Sequence, residues 1–234
     1  MSTKFQFKQF AIQQNLCAMK VGTDGVLLGA WTKTPNGTVL DIGSGTGLIS
    51  IMIAQQNPNC LIDAVDIDKN AFLQTKTNAE NCNWNNRITA YHTSLQDFNP
   101  DKKYQLIVSN PPFFVNATKA ESISKNTARH TDELSFNDLL KNVAKLLSPD
   151  GIFSVVLPTS AKIEFCNLAT NHQLNLNRIC EVKPNLTKPA KRILMEFSFT
   201  HTLLISEYLI IETEKRHHYT EEYRNLTKDF YLNF

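Results

Sequence analysis

From Thr38 onward, short apolar and β-branched runs alternate with longer stretches whose apolar positions suit helices. The strand-like runs are 39–42, 61–66, 87–92, 105–109 and 152–157, and the helix-compatible stretches are 48–56, 69–81 and 136–147. Such alternation is the pattern of a parallel sheet covered by helices. Two further β-rich segments, 174–182 and 193–199, flank the loop KPNLTKPAKR and predict an antiparallel close. The expectation is an α/β, Rossmann-like, doubly wound sheet of seven mostly parallel strands with an antiparallel edge strand. Ser135 and Asp138 have the spacing of a helix-capping pair before the stretch at 136, and Pro149, Asp150 and Gly151 are expected to end that helix. Residues before Pro35 stand outside the alternation, with Phe5, Phe7 and Ile12 strand-like and 24–31 helical, and read as an appended flap.

Composition narrows this picture only slightly. A chain of 234 residues, 42% hydrophobic and 20% charged, fits one ordinary globular domain. The formal charge of +2 is too small to mark a nucleic-acid binder, so any such contact must come from local clusters. The five cysteines are scattered singly and odd in number, which argues against a disulfide framework and a zinc site. His217 and His218 lack acids or cysteines at ligand spacing, and no metal is expected. The opening MSTKFQFKQF has no continuous apolar run, and the apolar stretch 203–211 is interrupted by Glu207 and too short to cross a bilayer. A cytoplasmic monomer without membrane contact is the expectation.

The segment VLDIGSGTGLIS places Gly43, Gly45 and Gly47 between a strand and a helix, where the chain must turn sharply and let a ligand approach the backbone. A dinucleotide loop has the spacing G-x-G-x-x-G, whereas this one reads G-x-G-x-G and follows Asp41 by two residues. A carboxylate there repels a pyrophosphate and attracts the cationic methionine end of S-adenosylmethionine. Asp66, closing the next strand, is placed to accept hydrogen bonds from ribose hydroxyls, while Asp68 reads as a helix cap. Asp97, after the third strand, is the candidate acceptor for the cofactor's adenine amine; the competing reading is a turn carboxylate.

The strand LIVS runs directly into Asn110, Pro111, Pro112 and Phe113. Two prolines stop the strand and stiffen a loop at the carboxyl edge, where open α/β sheets hold their active sites. An aromatic amine is a poor nucleophile because its lone pair is delocalised. If the Asn110 side-chain oxygen and the Pro111 carbonyl accept its protons, the nitrogen is held towards tetrahedral geometry and its developing charge is stabilised. Phe113 is suited to stack on the base.

These motifs resemble the class I methyltransferases with an Asp/Asn/Ser-Pro-Pro-aromatic motif, and within them the bacterial tRNA adenine-N6 methyltransferases. The resemblance rests on FKQF at Phe7, MKVGTDGVLLGAW from Met19, DIGSGTG, AVDID, NPPFF from Asn110, ARHTDELSF from Ala128, KPAKRIL from Lys188 and LTKDFYLNF at the terminus. It implies methylation of the adenine 3′ of the anticodon of a valine tRNA. It also implies one methyltransferase domain, in which residues 1–36 cover the cofactor, with Lys20, Thr23 and Asp24 near its methionine end, and 37–234 form the catalytic core with C-terminal additions. Gln105 departs from the pattern, since an acid more often stands there.

The motif alone is shared with guanine-N2 methyltransferases acting on ribosomal RNA and with protein-glutamine methyltransferases; a non-catalytic cofactor-binding RNA module is the alternative of another class. For the RNA itself, Lys183, Lys188, Lys191 and Arg192 lie within ten residues of one another, and Lys119, Lys125, Arg129 and His130 follow the catalytic loop. Phe114 and Arg129 are further candidates for substrate contact.

Overall fold

The computed structural model describes residues 3–112 and 134–233. Strands β1 (Lys4–Gln6) and β2 (Ala11–Gln13) pair as an antiparallel hairpin ahead of helix α1 (Thr23–Trp31). Then follow β3 (Gly37–Ile42), α2 (Leu48–Gln56), β4 (Cys60–Asp66), α3 (Lys69–Glu80), β5 (Ile88–His92) and β6 (Tyr104–Ser109). The remainder is α4 (Phe136–Leu146), β7 (Leu147–Pro158), α5 (Lys162–Asn171), β8 (Asn175–Asn185), β9 (Arg192–Ser198), β10 (Ile205–Glu212) and α6 (Glu221–Thr227).

The main sheet has the order β10-β8-β9-β7-β6-β3-β4-β5. Neighbouring strands are parallel from β5 across to β7, and β9 is antiparallel to both of its neighbours, β7 and β8. The doubly wound architecture is the expected one, with two corrections. The sheet has eight strands, because β10 adds to β8 in parallel, and the antiparallel strand lies inside the sheet rather than at its edge. Strand β10 has a weak strand pattern, because its apolar run alternates poorly and is interrupted by Glu207, which binds Arg178.

Strand alternation sends successive residues to opposite faces. In β3 and β6, Val39, Leu106 and Val108 join the cluster beneath α1 and α2, whereas Leu40, Ile42 and Ile107 join the one beneath α4 and α5. Helix α2 is buried from Leu48 to Ala54, as befits a helix lying between the sheet and α1. Helix α4 is two-faced, burying Leu139, Leu140, Val143 and Leu146. Its start is capped by Ser135, whose hydroxyl accepts the Asp138 amide at 3.0 Å. The Asp138 carboxylate accepts that same hydroxyl at 2.7 Å, not a backbone amide. The expected stop at Pro149–Gly151 is displaced: α4 ends at Leu146 and the chain passes straight into β7. Gly151 is there for close approach, since a Cβ would lie 2.8 Å from the Tyr104 carbonyl oxygen.

The N-terminal hairpin contributes Phe7, Phe10 and Ile12 to the cluster under α1 and α2. Phe7 stacks on Phe10 and Tyr231, and the Lys8 amide donates to the Phe230 carbonyl at 2.8 Å, so the two ends of the chain pack together. Asn78 in α3 ties this hairpin to the glycine loop, because its amide nitrogen donates to the carbonyls of both Gln13 and Thr46 at 2.8 Å.

Candidate active site

The strand order reverses between β3 and β6, and in open α/β sheets ligands bind at the carboxyl ends of the strands at such a switch point. Ile42 pairs with Ser109, so the glycine loop and the Asn110–Pro111 loop leave the sheet side by side at one level. The Ser109 hydroxyl donates to the Ile42 carbonyl at 3.0 Å and locks the two exits together.

Gly43, Gly45 and Gly47 all have left-handed backbones, with φ of 70°, 57° and 75°. Their surroundings differ. A Cβ on Gly43 would meet nothing within 4 Å, whereas on Gly47 it would press on Thr75 at 3.2 Å. The first turn of the loop therefore faces open space, and its end is packed against α3. That space is a cavity of about 450 Å³, whose lining includes Lys20, Thr23, Gly43, Gly45, Asn110 and Arg192.

The loop's own polar groups are satisfied from all sides. Val65 accepts the amides of Gly43 and Ser44 at 2.9 and 3.1 Å. Asp66 accepts the Gly45 amide at 2.8 Å and, through its other oxygen, the Asp68 amide at 2.9 Å. The Gly45 carbonyl accepts Thr75 Oγ1 at 2.9 Å and Cys17 Sγ at 3.2 Å. Asp68 caps α3 as expected, accepting the Ala71 amide at 2.8 Å. Burial raises the Asp66 carboxyl above its ordinary range, opposed by the two amides it holds.

Asp41 is fully buried. One of its oxygens accepts the Ser50 hydroxyl and amide at 2.6 and 3.2 Å; the other is buried with no hydrogen-bond partner. Desolvation lifts its pKa to about 6, with Ser50 pulling the other way. Asn110, just beyond the neighbouring strand β6, carries the matching feature, a buried side-chain oxygen without a hydrogen-bond partner among the described residues. Pro111 is buried and Pro112 exposed. Helix α1 closes over this corner, where a Cβ on Gly25 would lie 3.9 Å from Asn110 Nδ2.

Other expected site residues are placed differently. Lys20 lines the cavity, but its ammonium is tied to the carbonyls of Gln14 and Cys17. Arg192 donates through Nε to Asp24 at 2.7 Å in the cavity wall, while Lys188 and Lys191 are exposed in the loop before it. Asp97 accepts the Ser94 hydroxyl at 2.6 Å in a turn and lines a separate cavity with Asp63 and Tyr91. Phe113, Phe114, Lys119, Lys125, Arg129 and His130 lie outside the described residues. Gln105 is a strand staple, accepting the Thr38 amide at 2.8 Å and donating to Ser148 at 3.3 Å. Among the described residues no cluster of His, Cys, Asp or Glu is suited to a metal ion, and no helix is long and apolar enough to cross a membrane. All five cysteines are free thiols. Thr75, Asn78 and Cys17, which bond to the glycine loop's carbonyls from remote positions, carry no local signal in the sequence.

A glycine loop and an Asn-Pro-Pro turn meeting at the switch point of such a sheet define a methyltransferase, and residues 19–174 match the family model of the methyltransferase small domain, so the chain belongs to that family. It is similar over nearly its whole length to proteins named tRNA1(Val) (adenine(37)-N6)-methyltransferase. That of Parabacteroides distasonis is 46% identical over 232 residues, covering 97% of each chain. Those of Trichodesmium erythraeum and Christiangramia forsetii are 45% and 41% identical, covering 99% and 97% of this chain and 98% and 97% of their own. Among solved structures, a predicted O-methyltransferase of Agrobacterium tumefaciens superimposes with a TM-score of 0.71 at 15% identity, over 88% of this chain and 96% of that one. A glycopeptide N-methyltransferase solved with S-adenosyl-L-methionine gives 0.57 at 13% identity, over 78% and 90%. Both likenesses show the fold.

Proposed function

We propose that this chain transfers a methyl group from S-adenosylmethionine to the N6 amine of an adenine in tRNA, the adenine 3′ of the anticodon of a valine tRNA. The observation that carries the chemistry is the buried, unpartnered Asn110 oxygen in the cavity wall beside the glycine loop. A buried acceptor without a donor costs about 1 to 3 kcal/mol, an expense that makes sense where a ligand supplies the donor. The names of the full-length relatives supply the substrate.

The residues present fit the cofactor. Gly43 leaves room for close approach, and Asp41, buried beneath the loop rather than in the cavity lining, keeps one unpartnered oxygen whose charge favours a cationic group in the neighbouring cavity. Asp66 already holds two amides, and a carboxylate has lone pairs left for ribose hydroxyls. When bound, S-adenosylmethionine supplies an electrophilic methyl on a sulfonium. The chain supplies the rest. Asn110 Oδ1 and the Pro111 carbonyl accept hydrogen bonds from the two N–H groups of the adenine amine, so the nitrogen lone pair turns out of conjugation and towards the methyl. The methylated amine is acidic and loses its proton without a strong base. Phe113 stacks on the base, and Lys188 and Lys191 meet backbone phosphates.

The test is mass spectrometry of nucleosides and peptides after incubation with labelled S-adenosylmethionine and, separately, unmodified tRNA, ribosomal RNA and release factor. N6-methyladenosine in the tRNA arm is expected. N2-methylguanosine in ribosomal RNA, or methylglutamine in the protein, overturns the substrate; no product in any arm overturns catalysis.

A further inference from the structure

Helix α1 is held to the sheet at both ends by arginines from the far half of the molecule. At its C-terminal end Arg178 of β8 stacks 4.0 Å over Trp31, whose indole donates to Glu207 at 2.9 Å. At its N-terminal end Arg192, the first residue of β9, donates to Asp24 at 2.7 Å. The second tie is of another kind. Arg192 and Asp24 both line the cavity, and the turn that carries Asp24 continues to Gly25, which abuts Asn110. Any shift of that turn changes the wall against which cofactor and acceptor amine meet.

The backbone behind Arg192 is firm. Arg192 is paired with Pro158 of β7 and Val182 of β8, the Lys191 amide donates to the Val182 carbonyl at 3.0 Å, and the Thr159 amide donates to the Lys191 carbonyl at 3.3 Å. The end of β8 and the loop that follows it, 183–191, carry Lys183, Lys188 and Lys191 and no acid. Arg192 thus stands at the joint between a cationic loop and the cavity roof, with its guanidinium turned to the roof. The ion pair is partly exposed, at 35% and 24% for the two side chains, and such pairs add little to global stability.

We infer that the Asp24–Arg192 ion pair couples RNA binding at the 186–191 loop to cofactor binding in the cavity, Arg192 being a positioning residue rather than a phosphate contact. The inference rests on the function proposed above. With the backbone at Arg192 already fixed, an RNA backbone that draws on the loop acts on the guanidinium itself, which donates to the Lys191 carbonyl at 3.1 Å as well as to Asp24 and so sets the first turn of α1. By linkage each ligand then tightens the other by the same factor.

The experiment is calorimetric titration of the full chain with S-adenosylhomocysteine, which binds without turnover, in the absence and presence of saturating unmodified tRNA. The wild type is expected to bind it at least fivefold more tightly with tRNA present. Arg192→Gln and Asp24→Asn should each bring that factor close to one while leaving tRNA affinity without the cofactor product, and the melting temperature, nearly unchanged. The exchanged pair Asp24→Arg with Arg192→Asp should recover part of the factor. A wild-type chain that methylates tRNA but binds S-adenosylhomocysteine equally with and without it overturns the inference and leaves the function standing. So does an Arg192→Gln chain that loses tRNA affinity in the absence of S-adenosylhomocysteine, which would make Arg192 a phosphate contact, or an exchanged pair that recovers nothing. A wild-type chain with no methyl transfer to any RNA instead overturns the function.

Discussion

The glycine loop and the Asn110 loop leave neighbouring strands at the same level, yet they are built on opposite plans. Around Gly43–Gly47, backbone groups are met by Val65, Asp66, Thr75, Cys17 and Asn78. At Asn110 a side-chain oxygen is buried and left without a partner. A loop that must keep its shape before the ligand arrives is satisfied from within. A loop that must act on a ligand holds an acceptor in reserve. Asp41 lies between the two plans, with one oxygen satisfied by Ser50 and one not.

The sharpest break in this contrast is at Asn110. Loss of a preorganised hydrogen-bonding group lowers kcat by roughly 10² to 10³, and Asn110→Ala is expected to fall in that range with cofactor affinity nearly unchanged. Asn110→Asp keeps an acceptor oxygen and should retain measurable transfer. Single-turnover transfer of labelled methyl to unmodified tRNA is the measurement; an alanine variant at the wild-type rate would show that other groups orient the amine.

Asp41 tests the same contrast through stability. Its folded-state pKa is raised to about 6 from 3.8, so between those values the folded chain binds more protons than the unfolded one. Its contribution therefore falls as pH rises through that window, by up to roughly 3 kcal/mol, and the loss is complete above about pH 6. Asp41→Asn should flatten this part of the pH dependence in chemical denaturation of the free protein. It should also weaken cofactor binding, and wild-type cofactor affinity should drop as pH falls below about 6, where Asp41 becomes neutral. An unchanged denaturation profile in the variant would mean that the charge is not strained.

Asp66 belongs to the satisfied loop, and its loss acts twice. Asp66→Ala strips the Gly45 and Asp68 amides of their acceptor and removes the group proposed for the ribose. Charged hydrogen bonds are worth about 1.5 to 3 kcal/mol, so cofactor affinity should fall by roughly ten- to a hundredfold. Calorimetry decides: unaltered affinity would confine Asp66 to shaping the loop.

What could be read from the sequence divides along the same line. Local signals were sufficient for strands β3 to β7, for the Asp68 and Ser135 caps, and for the meeting of the glycine loop with Asn110, because strand, turn and helix chemistry there is contiguous. Partners supplied from afar were not legible. Nothing near Cys17 or Asn78 announces a bond to the glycine loop, and Arg192, read as one of four loop cations, turns away to Asp24. Strand β10 was hidden for the same reason, since the charge that interrupts its pattern is satisfied by Arg178 and Trp31 from other elements. Periodicity reports which face a residue takes, and only the folded sheet reports what waits there.

The smallest expected effect separates the two exposed loop lysines from Arg192. Lys188 and Lys191 are exposed, unlike the arginine that follows them, and are placed to meet phosphates. Each phosphate contact in a single strand contributes about 0.7 to the slope of log affinity against log salt. Replacing both by Gln should flatten the slope by up to about 1.4, which over a fourfold rise in salt is roughly a sevenfold difference. Cofactor binding without RNA should stay as in the wild type, because neither lysine lines the cavity. Filter binding of unmodified tRNA from about 50 to 200 mM salt reads the slope directly. A slope equal to the wild type's would make these lysines solvated surface and move the phosphate contacts elsewhere on the carboxyl rim of the sheet.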